Sequence, residues 1–222
     1  MMLIFKNFSC HCACCSYNIK EYYSSCNSFS YNFDENVYLL CGSIDCGAWA
    51  FVNSISSHCK KKSFGNNTVV IFNEEILSQR RAQNICCYLN EKPQYRVLKI
   101  SLKKAVNNAI KKYKYEGSYQ ELLNLFEIPE HFHNKPVSEL GIYYPCYLAM
   151  VGLIKGYKIF ATTWQGRFGF DSHIIEKIAK AITIKKLMLF IPTDANNIYN
   201  FQNIKINMVD LFDDLRIRDK YR

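Results

Sequence analysis

The segment from Val37 to Ser56, VYLLCGSIDCGAWAFVNSIS, contains two glycines whose spacing could hold a phosphate group. Gly42 and Gly47 lie between two apolar runs, which is the layout of the phosphate-binding loop G-x-x-x-x-G-K-[ST]. In that loop the backbone N–H groups surround the phosphates, a lysine neutralises them and a hydroxyl binds Mg²⁺. The lysine and hydroxyl positions are occupied here by Ala48 and Trp49. The spacing of the loop is therefore present without the groups that do its chemistry.

Asp45 lies inside the same loop and opposes phosphate binding. Two unit charges ~4 Å apart interact by about 4 kcal/mol at an effective dielectric constant of ~20, and an ATP tail carries several negative charges. The loop N–H groups and the helix dipole attract anions, but their partial charges hardly offset Asp45 without the lysine. We therefore expect no firmly bound cofactor and at most weak ATP binding. A plain tight turn between Gly42 and Gly47 is an equally good interpretation.

The size and composition of the chain predict a well-packed protein without export or membrane-spanning segments. Its 222 residues, of which 49% are hydrophobic and 21% charged, suffice for one large domain or two subdomains. No apolar run approaches the ~20 residues that cross a bilayer. The N-terminal MMLIF is shorter than the apolar core of a signal peptide. We therefore expect a cytoplasmic protein.

The chain contains 11 cysteines and has a net charge of +9. The cysteine count is odd and no export signal precedes the cysteines, which favours free thiols in a reducing compartment. The charge permits an acidic partner, such as nucleic acid or anionic lipid headgroups, without requiring one.

The densest group of potential metal ligands is CHCACC, Cys10 to Cys15. Zinc sites usually need two ligand pairs separated by a longer loop, and nothing in the sequence requires Cys26, Cys41 or Cys46 to complete a set. If the segment is a strand, its alternate cysteines share one face as small hydrophobic residues. Structural thiols are favoured, and no metal site is predicted.

Two other clusters are better explained as structural or solvent-exposed residues than as binding sites. His131 and His133 could chelate a metal from an extended segment, but their position between helices beside Pro129 favours exposed loop histidines. The stretch KKYKYEG, Lys111 to Gly117, mixes basic and aromatic residues as single-strand binders do. One short stretch on an amphipathic helix is more often a solvated face, so no nucleic-acid partner is expected.

The candidate loop lies in an alternation of strand and helix patterns. VYLLCG is a continuous apolar run, as in a strand covered on both faces. GAWAFVNSISSHCKKK follows at helical spacing and closes with the cations Lys60 to Lys62, which suit a helix C-terminus. The first ~35 residues alternate as strands. Further predicted strands are TVVIFN, NICCYLN, YKIFATTW, LMLFIPTD and NIKINMVDLFDD, and HIIEKIAKAITIKK is a predicted helix.

The middle of the chain has a different pattern. SLKKAVNNAIKKYKYEGSYQELLNLFEI has apolar residues at three- and four-residue steps, with Gly117 separating two helices, and IYYPCYLAMVGLIKG is a further helix. These patterns predict one α/β domain over 1–222, with a core of 1–92 and 157–222 and an inserted helical subdomain of 93–156.

In this order the elements resemble the ATP-binding subunit of an ATP-binding cassette (ABC) transporter over nearly the whole chain. The loop that ends at Trp49 is similar in position to the Walker A motif, and SELG (Ser138, Glu139, Leu140 and Gly141) to the LSGG signature. YKIFATTW is similar to the Walker B strand. The resemblance implies a P-loop NTPase-like ABC cassette core with an inserted helical subdomain.

The same resemblance implies that the catalytic groups of the family are missing. Thr162 and Thr163 lie where the Walker B Asp and Glu are expected, Asp194 lies where the switch histidine is expected, and Asp171 falls near the D-loop. Neutral hydroxyls neither hold Mg²⁺ as a carboxylate does nor accept a proton at pH 7. We therefore expect a pseudo-ATPase with no catalytic residue.

The function implied is that of a catalytically degenerate, non-hydrolysing ATP-binding subunit in a membrane transport complex. In the family, two subunits meet head to tail, so the resemblance implies a homo- or heterodimer, with a membrane permease, a competent ATPase paralogue or both, at the inner face of the membrane. The alternatives are a soluble regulatory or interaction protein on the same fold, and a basic nucleic-acid-binding protein. For the fold, we expect residues 37–56 to form a strand turning into a helix beside the strand of 157–164.

Overall fold

The structure is a computed structural model that describes residues 1–16, 19–41, 47–56, 64–90, 95–162, 171–193 and 205–210, without the side chains of 11–16, 19–27, 95, 96 and 210. The strands are β1 (Leu3–Ser16), β2 (Ile19–Phe33), β3 (Val37–Cys41), β4 (Val69–Phe72), β5 (Glu75–Leu77), β6 (Cys86–Tyr88), β7 (Ile159–Ala161), β8 (Met188–Thr193) and β9 (Asn207–Asp210). The helices are α1 (Ala48–Ile55), α2 (Gln79–Asn84), α3 (Tyr95–Leu98), α4 (Leu102–Tyr113), α5 (Tyr119–Leu125), α6 (Tyr144–Ile154) and α7 (Ser172–Ile184).

A parallel sheet of five strands, in the order β6-β7-β8-β3-β9, forms the centre of the protein. The continuous apolar runs predicted buried strands, and every residue of β3 and β8 is buried. The predicted α/β class is confirmed. The expectation that residues 37–56 lie beside the strand of 157–164 was wrong. β8 lies between β3, which precedes α1, and β7, and it separates the two strands. Runs of apolar residues predict strands, but they do not specify which parallel strands are neighbours.

Side chains along the central strands alternate between two core clusters, because successive strand residues point to opposite faces. Leu39 and Leu189 belong to a cluster with residues of α4 to α7, called here the helical cluster. Tyr38 and Phe190 belong to a cluster with residues of α1, β1 and β2, called here the aromatic cluster. The parallel sheet is therefore the middle layer of three, covered on both faces.

A second sheet, antiparallel and in the order β2-β1-β4-β5, covers the aromatic cluster. The predicted strands of the first ~35 residues are present as one long hairpin, which includes the Cys10–Cys15 segment in β1. Phe51 of α1 makes ring contacts with Phe5, Phe8 and Phe190, at centroid distances of 5.1 to 5.6 Å. These contacts join α1 to both sheets.

The helices predicted between residues 101 and 156 are present, and local signals specify their starts. The side chain of Ser101 accepts a hydrogen bond at the N-terminus of α4, and Ser118 with Glu121 forms a capping box at α5. α6 has a proline in its first turn, where a backbone N–H would have no hydrogen-bond partner within the helix, so the missing N–H of proline costs nothing. Gly156, with φ of 80°, follows the end of α6.

Two other features differ from the sequence-based prediction. α1 ends at Ile55 because Ser56 is extended, so its last turn contains no basic residue, and Lys60 to Lys62 lie outside the described residues. The elements β5 and α2 were not predicted. The turn that joins β4 to β5 is formed by Asn73 and Glu74, which have φ of 46° and 71° without the glycine that usually marks such a hairpin.

Candidate functional site

Ligands of open α/β proteins bind outside the carboxyl ends of the parallel strands, where the loops after the strands converge. In this chain that edge includes the ends of β3, β7 and β8, at Cys41, Ala161 and Thr193. Pairing of β8 with both β3 and β7 brings the three ends together. Cys41, which precedes the candidate loop in the sequence, and Thr162, which follows β7, therefore lie at the same edge of the sheet.

Helix α1 begins directly after Gly47, whose φ of 102° lies in the left-handed region that favours glycine. Among the described residues no side chain caps this N-terminus, and the N–H of Phe51 donates to the carbonyl of Gly47 at 2.8 Å. The first turn contains no acidic residue. The positive end of the helix dipole is therefore not neutralised by the helix's own side chains. Gly42 and Asp45 lie outside the described residues.

Ala48 and Trp49 form the first turn of α1, at the positions where the motif has a lysine and a hydroxyl. Ala48 is fully buried, and Trp49 is partly buried against the aromatic cluster. The sequence of residues 47–56 contains no lysine, arginine or histidine. This turn therefore provides backbone N–H groups to an anion without a cationic side chain.

Thr162 follows β7 at the same edge and is fully buried. Its backbone N–H donates to the carbonyl of Phe190 at 3.0 Å, which continues the pairing of β7 with β8. Thr193, at the end of β8, is also fully buried. These side chains provide neutral hydroxyl groups, which are weaker Mg²⁺ ligands than carboxylates. Thr163 and Asp194 lie outside the described residues.

The SELG residues lie in two consecutive 3-10 turns, Val137–Glu139 and Gly141–Tyr143, which lead into α6. Leu140 is fully buried in the helical cluster, and the other three residues are exposed. At Gly141 an added Cβ would meet no atom within 4 Å. Because α1 packs in the aromatic cluster, the SELG segment and α1 belong to different faces of the sheet.

The cysteines whose side chains are described are buried thiols that form no disulfide with one another: Cys10, Cys41, Cys86, Cys87 and Cys146. Burial raises the pKa of Cys146 to about 12 and the pKa of Cys86 well above its usual value. Both thiols therefore stay protonated at neutral pH and are poor nucleophiles. Of the cysteine-rich segment in β1, Cys10 is the residue whose side chain is described.

No group of three or more His, Cys, Asp or Glu side chains is placed to hold a metal within the described ranges. The two histidines considered as chelators contact aromatic rings instead. The ring of His133 lies 5.6 Å from that of Tyr119, and the ring of His131 lies 4.3 Å from that of Phe132. Asp171, near the expected D-loop, caps α7 by accepting a hydrogen bond from the N–H of His173 at 2.9 Å.

A polar cluster that sequence reasoning missed joins the segment after α5 to α7. Glu127 accepts hydrogen bonds from Nζ of Lys177 at 2.7 Å and from Nζ of Lys180 at 2.9 Å. These two hydrogen bonds lower the pKa of Glu127 to about 2. The three residues line a half-open cavity of about 450 Å³ together with His173 and Lys205. The spacing of the lysines on α7 was visible in the sequence, but nothing local links them to Glu127.

Comparison with known proteins finds similarity in structure alone. No protein-family profile matches the sequence, and no curated protein sequence matches it. A putative ABC transporter ATP-binding protein from Pyrococcus furiosus superposes with a TM-score of 0.61 at 14% identity, covering 95% of this chain and 98% of the other. CbiO1 from Clostridium perfringens, part of the ABC transporter complex cbiONQ, superposes with a TM-score of 0.60 at 13% identity, covering 93% and 83%.

The ATP-binding cassette MJ0796 gives a similar result. Its dimeric post-hydrolysis state, bound to ADP and Pi, superposes with a TM-score of 0.59 at 17% identity, covering 94% of each chain. In the described part of this chain, no helix has the length and apolar character needed to span a membrane. The three superpositions cover 93–95% of this chain and 83–98% of the other chains, and this chain accordingly has the fold of the ATP-binding cassettes of ABC transporters.

Proposed function

We propose that this chain is an ABC-type ATP-binding subunit that does not hydrolyse ATP and acts as a partner within a membrane transport complex. The main support for the proposal is that Ala48 and Trp49 form the start of α1, at the carboxyl edge of the sheet. A working phosphate-binding loop has a lysine and a hydroxyl at these positions. Thr162 adds a neutral side chain at the same edge. The division into a core and a helical subdomain of 93–156 is part of this proposal.

The expected loss of hydrolysis follows from the chemistry of phosphoryl transfer. The reaction needs a cation on the β- and γ-phosphates, ligands for Mg²⁺, and a residue that orients or deprotonates the attacking water. Ala48 cannot replace the cation, and Trp49 cannot bind the metal. Thr162 and Thr163 replace two carboxylates with hydroxyls that accept no proton at pH 7. ATP, if it binds, is held by the loop backbone and by the dipole of α1.

The proposal includes a partner subunit. MJ0796 is known as a dimeric cassette, and cbiO1 is part of the cbiONQ complex. In this chain Ser138, Glu139 and Gly141 are exposed and available for contact with a second subunit. We propose that they face the candidate loop of a homologous or competent ATPase partner, and that a membrane permease holds the assembly at the inner face of the membrane.

Nucleotide binding and hydrolysis can be measured on one purified variant. Replacement of Trp164 by Phe leaves Trp49 as the single tryptophan, in the turn that would contact phosphate. We expect a small fluorescence change at millimolar ATP with Mg²⁺ and no phosphate release above background, with a competent cassette assayed in parallel. Robust ATP hydrolysis that is lost in Ala48→Asp would reject the proposal, because the loop would then be a working catalytic site.

The membrane partner is tested by purifying the tagged full chain from detergent-solubilised membranes and from the soluble fraction. Recovery of an integral membrane protein together with an ATPase supports the transport complex. Recovery of soluble partners alone favours the regulatory protein on the same fold. Replacement of the exposed Glu139 by Arg should weaken the contact with the ATPase partner. Glu130→Arg, which changes an exposed residue in another turn, serves as the matched control.

A further inference from the structure

Six exposed lysines lie together at the ends of three helices. The C-termini of α6 and α7 lead into β7 and β8, at the amino edge of the parallel sheet and opposite the candidate nucleotide site. The end of α4 adjoins the end of α6, because Nζ of Lys155 lies 5.9 Å from the ring centre of Tyr113. This surface, called here the basic face, contains Lys111, Lys112, Lys114, Lys155, Lys185 and Lys186.

The positive charge of the basic face is only partly compensated. No salt bridge joins any of the six lysines to a carboxylate in the described part of the chain. Glu116, which is exposed, lies two residues after Lys114, and Glu121 lies close enough to Lys185 for the lysine charge to act on its carboxylate. Glu121 accepts a hydrogen bond from the N–H of Ser118 at 2.7 Å and keeps its negative charge, so the six lysines outnumber these two carboxylates. The face therefore presents a strong positive potential to solvent.

The aromatic residues of the basic face are occupied by its own cations. Nζ of Lys112 lies 5.2 Å from the ring centre of Tyr113, and Nζ of Lys155 lies 5.9 Å from the ring centres of both Tyr113 and Tyr157. Single-strand nucleic-acid binders instead leave aromatic faces free for bases to stack on. The interleaving of lysine and tyrosine in the sequence therefore does not provide a stacking platform.

Two of the large apolar side chains that are most exposed adjoin these lysines. Tyr113 is 41% exposed and lies between Lys112 and Lys114, and Ile184 is 66% exposed and precedes Lys185. Exposed apolar groups among lysines match the boundary between lipid headgroups and acyl chains, where lysine stems lie along apolar surface and ammonium groups reach the phosphates. A nucleic-acid backbone has no comparable use for an exposed isoleucine.

We propose that the basic face docks directly on an anionic lipid surface, with the lysines and the Tyr113 ring between them at the headgroups and Ile184 at the acyl boundary. Each lysine near such a surface strengthens binding by about fivefold, and clusters of four to eight lysines are sufficient for recognition of anionic lipids. The proposal goes beyond the proposed function, since it requires neither nucleotide nor permease. Docking at the amino edge leaves the carboxyl edge of the sheet free.

Vesicle co-sedimentation of the purified full chain tests the proposal, without nucleotide or other proteins. The vesicles contain phosphatidylcholine alone or phosphatidylcholine with about 30% phosphatidylserine, a fraction that gives a negative surface potential. We expect binding to the anionic vesicles alone, weakened by raising the salt concentration. The double variant Lys112→Glu/Lys155→Glu should bind at least about twentyfold more weakly.

A matched control has the same change in net charge at the other end of α4. Lys103→Glu/Lys104→Glu replaces two exposed lysines in the first turn of that helix, about 13 Å from Lys112 along its axis. An equal loss of binding in this control would overturn the proposal, because net charge alone would then explain adhesion. Circular dichroism of both variants verifies that they are folded.

Two further measurements separate lipid from other polyanions. Ile184→Ser should weaken vesicle binding by about fivefold, as expected when an apolar side chain leaves the acyl boundary, without changing binding to a labelled single-stranded oligonucleotide. Binding to the oligonucleotide but not to anionic vesicles overturns the proposal in favour of nucleic acid. Absence of vesicle binding at low salt overturns it as well, and this result leaves the proposed role in a transport complex untouched.

Discussion

Helices α1 and α7 cover opposite faces of the same parallel sheet, but only α7 has a start that its own residues specify. The side chain of Asp171 caps α7, whereas no side chain caps α1 after Gly47 among the described residues. α7 has 13 residues with one apolar face, whereas α1 has 8 residues, of which all but Trp49 are buried. A helix of this length has little stability alone, so packing must hold α1 in place.

The buried residues of the two helices differ as well. The buried residues of α7 are isoleucines, alanines and Lys177, whose ammonium group is paired with Glu127. Asn53 and Ser54 of α1 are fully buried, and their side-chain polar atoms have no hydrogen-bond partner within the described ranges. The helix at the candidate site is therefore the less stable of the two, and the following changes test this difference from the largest expected effect to the smallest.

The largest effect is expected for Phe51→Ala in α1. The fully buried ring contacts four other phenylalanine rings at centroid distances of 5.1 to 5.6 Å, so its loss leaves a cavity between the two sheets. We expect the free energy of unfolding to fall by about 3–5 kcal/mol, as measured by urea denaturation. Ile178→Ala, on the apolar face of α7, is the matched control and should cost less. An equal or larger loss in the control would contradict the dependence of α1 on packing.

Asn53→Leu should stabilise the protein, which is unusual for a buried substitution. The two side chains have similar size, and the change removes buried polar atoms that lack partners. We expect the free energy of unfolding to rise by about 1–3 kcal/mol. The reverse change in α7, Ile182→Asn, should destabilise the protein, because Ile182 is fully buried among apolar residues. A loss of stability in Asn53→Leu would show that Asn53 has a partner in the native protein.

Asp171→Ala removes the cap of α7 and should lower the free energy of unfolding by about 1 kcal/mol. Asp171→Asn keeps an oxygen that can accept from the N–H of His173, so it should have little effect. Thermal unfolding of the two variants measures the difference. Equal destabilisation by both would indicate that the charge of Asp171, rather than the cap, is what α7 uses.

The smallest effect concerns the ion pairs that anchor α7. The pKa of Glu127 is lowered from its usual 4.5 to about 2 in the folded protein, because Lys177 and Lys180 donate to its carboxylate. The unfolded chain therefore binds the proton more readily. The resulting stabilisation is fully present above about pH 4.5 and is lost as the pH falls through about 2.

Glu127→Gln should remove this pH-dependent stabilisation. Because the Glu127 side chain is 44% exposed and solvent screens the pair, we expect a loss of about 1 kcal/mol at pH 7. The difference between wild type and variant should shrink as the pH approaches 2, which urea denaturation at several pH values would reveal. Glu130→Gln, at an exposed residue three positions further along the chain, is the control, and a pH-independent difference for Glu127→Gln would contradict the ion-pair account.

The fold was predictable because apolar runs and helical spacing occur in an order that few architectures share. VYLLC and LMLFIPT specify central strands by their unbroken apolar character, and the regularly spaced apolar residues of α4 and α7 specify amphipathic helices. The neighbour of β3 was not predictable, because pairing between distant parallel strands leaves no local pattern. The turn at Asn73 and Glu74 was missed because it lacks a glycine.

The start of α1 could be predicted from the sequence, but the tertiary contacts of the other candidate residues could not. Spacing of Gly42 and Gly47 indicated the loop, and the structure places Ala48 and Trp49 at the start of α1 as expected. The cap role of Asp171 and the pairing of Glu127 with lysines 50 and 53 residues away depend on tertiary contacts. Such contacts arise from the fold as a whole, so local sequence patterns do not reveal them.

The position of β3 in the parallel sheet has a consequence for biosynthesis. Its two neighbours, β8 and β9, are formed by residues 188–193 and 207–210, at the far end of the chain. A nascent chain that has emerged only as far as α7 therefore has β3 with both of its hydrogen-bonding edges open. Such an unpaired apolar strand is prone to aggregation. A chaperone that shields β3 during translation would therefore benefit this protein more than it would benefit a protein whose central strands are adjacent in sequence.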